Sequence, residues 1–195
     1  LACKWTLPLA TEKRRGKVHY FIMQAHKTLI TQPQLHQRIR TLAAEIDTDY
    51  ATSTDLVLVS VLQGARPFCE ALSAALTTPH RLGTVQVASY NVGTYLSDGN
   101  VRVVQPLNCN VRGADVIVVE DIIDTGYSMQ TVLELLRVEQ PASMAVCALL
   151  SKPSRRVVDV PIDYLGFAID DHFVFGYGID VDHKYRELGY IGYFE

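Results

Sequence analysis

Apolar runs and amphipathic stretches take turns along most of this chain, with the periods of strands and helices respectively. From Thr31 the spacing is helical: Leu35, Ile39, Leu42 and Ile46 recur on one face, and Thr31 with Gln34 has capping-box spacing, which predicts a helix ending near Asp47. Residues 56–62, LVLVSVL, form a continuous apolar run with several β-branched positions, followed by Gln63-Gly64 and a helical stretch, RPFCEALSAAL. A buried strand, a tight turn and a helix in that order open a βα unit. Residues 84–90 alternate as a strand, and the following NVGTYLSDGNVRVVQ predicts a long hairpin or a mobile excursion. Three further buried strands are expected at 115–119, 144–150 and 163–169, the first leading through EDIIDTG into the helix YSMQTVLELLR. The pattern predicts an α/β protein with a parallel sheet covered on both faces. Such sheets bind ligands beyond the carboxyl ends of their strands, here Gln63-Gly64, residues 120–128 and Ser151-Lys152.

Length and composition narrow the class. A chain of 195 residues with 48% hydrophobic and 20% charged residues suits one globular domain and excludes disorder as its main theme. The formal charge of −3 supplies no overall positive field to attract phosphate backbones or acidic lipid, so nucleic acid and membrane surfaces are disfavoured as partners. The basic run EKRRGKVH at 12–19 reads as a solvated loop or strand edge. No apolar run approaches the roughly 20 residues of a spanning helix, and the opening residues lack the pattern of a signal peptide. Cys3, Cys69, Cys109 and Cys147 have no CxxC spacing and read as reduced structural thiols; the six histidines include no metal-site pair.

The chemistry concentrates in VIVVEDIIDTGYSM, residues 116–129. Backbone N–H groups at a helix start, aided by Thr125, Gly126 and Ser128, make a natural cradle for phosphate. Glu120, Asp121 and Asp124 just before it would repel a bare anion, so they must face sugar hydroxyls, a metal or a developing positive charge. A phosphorylated sugar meets all three demands. The tripeptide Asp124-Thr125-Gly126 also occurs in aspartic proteases, but those need two copies from paired β-rich lobes, and this single copy precedes a helix. A phosphate-accepting aspartate at a strand end fits the chemistry but not the E-D-x-x-D spacing, and a solvated helix-capping loop leaves three carboxylates in five residues unexplained.

VVEDIIDTGYSM resembles the phosphoribosyl-pyrophosphate signature of the type I phosphoribosyltransferases, in their hypoxanthine-guanine (6-oxopurine) branch. SVLQGARPF, ASY, LLSKP and DYLGFAIDDHFVFGYGIDVDHKYREL extend the resemblance, in order, over most of residues 56–188. It implies a central parallel sheet flanked by helices (about 35–150) and a small hood from terminal segments (about 1–30 and 151–195). The implied activity is purine salvage: 5-phosphoribose passes from phosphoribosyl pyrophosphate to guanine, hypoxanthine or xanthine, with Mg2+ as cofactor. A cytoplasmic homodimer or homotetramer is implied as well.

Residue roles follow from the same resemblance. Glu120 and Asp121 would face the ribose hydroxyls, Asp124 would exchange a proton with purine N7, and Asp124, Thr125, Gly126, Tyr127 and Ser128 would hold the 5′-phosphate. Lys152 would donate to the purine O6, Phe173 would stack on the base and Val174 would offer backbone contacts to its edge. Asp180, with Glu120 and Asp121, would help place magnesium beside the base, while Arg186 and Gln63-Gly64 would bind pyrophosphate, the latter around a non-proline cis peptide. Residue by residue, Arg186 has an alternative in a surface pair with Glu187. Ser89 and Tyr90 would begin a mobile loop that closes over the site. Two departures from the family pattern stand out: Gln63 occupies the position of a usual lysine, and Tyr127-Ser128 that of a usual Lys-Thr. The rival readings are a phosphoribosyl pyrophosphate sensor or RNA-binding regulator that has kept the site, and a transferase for another base.

Overall fold

The computed structural model describes residues 26–89 and 101–194. The basic run at 12–19, Cys3 and Tyr90 lie outside the described residues, as does most of the excursion after residue 89. The elements are β1 (His26–Ile30), α1 (Gln32–Asp49), β2 (Leu56–Leu62), α2 (Arg66–Ala75), β3 (His80–Ser89), β4 (Val101–Gln105), β5 (Asp115–Ile123), α3 (Tyr127–Val138), β6 (Ser143–Ser151), β7 (Tyr164–Ala168), β8 (Val174–Phe175) and β9 (Ile191–Phe194). The larger sheet has the order β4-β3-β2-β5-β6-β7, parallel except for β4, which pairs antiparallel with β3. The flanks of the excursion therefore form a hairpin, with Ser89 opposite Val101.

Residues alternate along each central strand, and each face finds its own helical cover. Leu56, Leu58, Ile117, Val119, Cys147 and Leu149 pack with Leu35, Leu42 and Ile46 of α1 and Phe68 and Leu72 of α2. Val57, Val59, Val116, Val118 and Val146 pack on the other face with Met129, Val132 and Leu136 of α3. The four periodic positions that predict α1 are all buried, and the Thr31 N–H donates to Gln34 Oε1 at 2.9 Å, as capping-box spacing anticipates. No helix among the described residues is long and apolar enough to cross a membrane.

A second sheet, β1-β9-β8, is antiparallel and joins two segments far apart in the chain, with His26 opposite Phe194 and Val174 opposite Tyr193. Ile30, Val174 and Ile191 reach from it into the core beside α1 and α2. Two strand boundaries differ by four residues from the sequence expectation. β3 begins at His80 rather than at residue 84, because its first residues pair in parallel register with β2 from Leu56 onward. β5 continues four residues beyond Val119 because β6 is long enough to pair with it, Glu120 lying opposite Ala148 and Ile123 opposite Ser151. Glu120 and Asp121 are thus held in a strand, and the turn proper starts at Asp124.

Candidate active site

The carboxyl ends of β2, β5 and β6 gather most of the residues singled out by sequence. Where β5 ends, Asp124, Thr125 and Gly126 turn the chain into α3, whose first residues are Tyr127 and Ser128. Gly126 has φ +95°, a left-handed conformation suited to glycine, and a Cβ there would lie 3.3 Å from the Val158 carbonyl carbon and closer still to its oxygen. The Thr125 carbonyl accepts from the N–H groups of Val157 and Val158 at 3.0 and 2.9 Å. Residues 155–158 thus brace the turn from behind, and the leading N–H groups of α3 point out of its first turn as a site for an anion.

Glu120 and Asp121 make a close pair of carboxyls. Burial raises the Glu120 pKa well above the ordinary value, and the neighbouring Asp121 charge raises it further. Burial raises Asp121 too, opposed by hydrogen bonds from Glu120 and the Ile122 N–H and by the Arg186 charge. The Ile122 N–H donates to Asp121 Oδ1 at 2.8 Å, while Oδ2 presses on Gly64 so closely that a Cβ on that glycine would sit 2.7 Å from the Asp121 Cγ.

Gly64 follows Gln63, and the Leu62–Gln63 peptide is cis, at the Gln63-Gly64 segment where the family resemblance implies one. The backbone of Gly64 in turn lies against Gly178, where a Cβ would be 3.2 Å from the Gly64 carbonyl carbon. Arg186 Nη1 donates to the Gly178 carbonyl at 2.6 Å, and Nη2 pairs with Asp180 Oδ1 at 2.6 Å. The pairing partner of Arg186 is therefore Asp180 rather than Glu187, because the chain doubles back between 178 and 186. Asp180 Oδ2 also accepts from the His183 N–H at 2.9 Å.

On the opposite side, Lys152 closes β6, with its N–H bonded to the Ile123 carbonyl at 3.0 Å and its side chain only 8% exposed. Lys152 Nζ reaches Asp171 Oδ1 at 3.4 Å; Asp171 Oδ2 pairs with Arg155 Nη1 at 3.3 Å; Arg155 Nε meets Asp124 Oδ1 at 2.7 Å. Phe173, two residues after Asp171, is 52% exposed, and its ring stacks on Phe194 with centroids 6.4 Å apart; Val174 beside it is buried. Ser89 ends β3, and Tyr90 is not described, so the predicted lid is left without a geometry.

A strand-to-helix turn with free leading N–H groups, two adjoining carboxyls of which Glu120 is buried, and an ammonium linked by ion pairs to a turn aspartate invite comparison with known proteins. The family model for the phosphoribosyl transferase domain matches residues 26–183. A hypoxanthine phosphoribosyltransferase of Salmonella typhimurium is 40% identical over 167 residues, covering 85% of this chain and 93% of that protein. A hypoxanthine-guanine phosphoribosyltransferase of Mycobacterium avium is 40% identical over 169 residues, covering 84% and 83%. The crystal structure of a Staphylococcus aureus hypoxanthine phosphoribosyltransferase superposes with a TM-score of 0.82 at 34% identity, covering 87% of this chain and 91% of that one. The chain belongs to the phosphoribosyltransferase family.

Several residues of this phosphoribosyltransferase site escape the sequence reading. Arg155 and Asp171 complete the ion-pair chain; Arg156 donates to the carbonyls of Asp124 (3.1 Å) and Ile123 (3.3 Å) and to Ser151 Oγ (2.8 Å), fixing the backbone of the turn. The available signal was two adjacent arginines just after Lys152-Pro153, facing a run with three carboxylates. Magnesium fits the donors present. Among the described residues no three His, Cys, Asp or Glu side chains cluster to cage a metal. Mg2+ is usually held by one or two carboxylates together with water and substrate phosphates.

Proposed function

We propose that the protein is a purine-salvage transferase that moves 5-phosphoribose from phosphoribosyl pyrophosphate to N9 of a 6-oxopurine, hypoxanthine or guanine, with release of pyrophosphate. The observation that carries the substrate class is the nearly buried Lys152 ammonium, linked through Asp171 and Arg155 to Asp124 at the sugar-phosphate turn. A buried ammonium needs an acceptor. The carbonyl at purine C6 is one, whereas the amino group of adenine is not, and sites built around such a bond can discriminate by about 10⁴ or more.

In this reading the N–H groups at the start of α3 hold the 5′-phosphate, and Glu120 and Asp121 receive the ribose hydroxyls. Phe173 stacks on the base, Val174 meets its edge through the backbone, and Gln63-Gly64 with Arg186 receive the pyrophosphate. The bond from C1′ to pyrophosphate breaks as N9 bonds to C1′, and Asp124 takes the proton that leaves N7. Positive charge gathers on the ribose ring in the transition state, and the carboxyls beside it stabilise that charge. Glu120 with Asp121 on the ribose side, or Asp180 on the pyrophosphate side, would hold Mg2+ through one or two carboxylates with hydroxyls and water, and when bound the ion neutralises pyrophosphate as it leaves. A cytoplasmic homo-oligomer belongs to the same proposal.

The test is product formation. Protein, Mg2+ and phosphoribosyl pyrophosphate are incubated with hypoxanthine, guanine, xanthine or adenine, and nucleotide and pyrophosphate are quantified. IMP and GMP are expected and AMP is not. No nucleotide from any 6-oxopurine, or AMP in preference, overturns the proposal.

A further inference from the structure

We infer that Arg155 is a positioning residue for the Asp124 carboxylate, and that Asp171 ties it to Lys152, so that a single ion-pair chain sets the proton acceptor and the 6-oxo donor together. The inference rests on the role given above to Asp124. Four charges alternate in sign along Lys152, Asp171, Arg155 and Asp124, at 3.4, 3.3 and 2.7 Å between successive partners. No two of these residues belong to the same long element. Asp124 lies in the turn after β5, Lys152 and Arg155 flank the short turn after β6, and Asp171 precedes β8.

The need for a holder follows from where Asp124 sits. Its side chain is 38% exposed at the mouth of a turn, so packing alone does not fix its rotamer. Arg156 pins the backbone of residues 123 and 124, which leaves the carboxylate to Arg155. The guanidinium binds Asp124 Oδ1 through Nε and turns its Nη1 edge to Asp171, a division that a planar fork of fixed donors permits and a flexible ammonium does not. With Oδ1 engaged, Oδ2 is the acceptor in this arrangement.

The chemistry of the ligand matches this spacing. O6 and N7 are neighbouring atoms on one edge of a 6-oxopurine, and Lys152 and Asp124 are the groups assigned to them. Linking the two through Arg155 and Asp171 fixes their separation before the base arrives, the kind of preorganisation whose loss by about 1 Å can cost about 10²-fold in rate.

The test is a double-mutant cycle on the full chain, with Arg155→Met, Asp124→Asn and their combination, followed as nucleotide formation from hypoxanthine and phosphoribosyl pyrophosphate. Arg155→Met is expected to lower kcat by up to about 10²-fold with an unchanged KM for phosphoribosyl pyrophosphate, and Arg155→Lys to recover only part of that loss, because an ammonium keeps the charge but not the fork that divides between Asp124 and Asp171. Because Arg155 acts through Asp124, adding Arg155→Met to Asp124→Asn is expected to cost little more than Asp124→Asn alone. Asp171→Asn, a change at the half-exposed link between Lys152 and Arg155, is expected to raise the KM for hypoxanthine severalfold. An unchanged kcat in Arg155→Met, or losses that multiply in the double variant, overturns the inference, as does an unchanged KM for hypoxanthine in Asp171→Asn. Full activity in Asp124→Asn would instead remove the assigned proton acceptor, so the two failures can be told apart.

Discussion

Replacing Gly64 by alanine tests whether the ribose carboxyls depend on a glycine at the end of the neighbouring strand, β2. The new Cβ would stand 2.7 Å from the Asp121 Cγ and closer to Oδ2, where ordinary contact begins at 3.4 Å. The carboxyl must therefore withdraw by on the order of 1 Å, and swinging it away also strains the 2.8 Å bond between Oδ1 and the Ile122 N–H. Losing that bond costs about 1 kcal/mol, a fall of roughly 2–4 °C in Tm for a chain of this size. The kinetic cost is larger. A misplacement of this size beside the reacting sugar is worth about 10²-fold, or roughly 2.7 kcal/mol of transition-state stabilisation. Steady-state kinetics with phosphoribosyl pyrophosphate varied at saturating hypoxanthine should show kcat/KM down by about that factor, in a protein that still melts cooperatively. An alanine variant with the parent's kcat/KM would refute the reasoning, because Asp121 would then work equally well away from Gly64.

Three other substitutions probe neighbouring claims. Gly126→Ala places a side chain at φ +95° and against the Val158 carbonyl, which should cost about 3 kcal/mol and lower Tm by roughly 10 °C; an unchanged melting curve would mean that the turn relaxes freely. Glu120 has a folded-state pKa raised above its ordinary value of 4.5, chiefly by burial. Its contribution to stability is therefore complete below that value and is lost as pH rises through the folded pKa. As pH rises above about 4.5 the ligand-free protein should lose Tm, and Glu120→Gln should flatten that decline; superimposable curves would contradict the reading. Lys152→Met removes a charged donor worth about 1.5–3 kcal/mol, so kcat/KM for hypoxanthine should fall roughly 10- to 100-fold with little change in the KM for phosphoribosyl pyrophosphate. Unaltered hypoxanthine kinetics would count against the role of Lys152.

The large sheet was legible because its signals are local. Continuous apolar strands, each followed by a turn and an amphipathic helix, dictate a covered parallel sheet, and the acidic turn after β5 sits where such a sheet binds ligands. The small sheet was not legible in the same way. β1, HKTLI, is short and mostly exposed and owes its strand form to pairing with residues 191–194 at the far end of the chain. The extension of β5 through Glu120 and Asp121 was hidden for a related reason: acidic residues are poor strand formers, and only the matching length of β6 keeps them in the ladder. Arg155 shows the same limit within the site. Nothing within a helical turn or a strand repeat of Arg155 announces an ion pair with Asp124, 31 residues earlier. Asp124 itself could be read because its neighbours spell a local turn.

A crystal structure of the protein with inosine monophosphate bound would test the central claim most directly. The account predicts the phosphate on the N–H groups of residues 125–128 and the purine O6 about 3 Å from Lys152 Nζ. A phosphate lodged anywhere else, with that turn left to solvent, would contradict it.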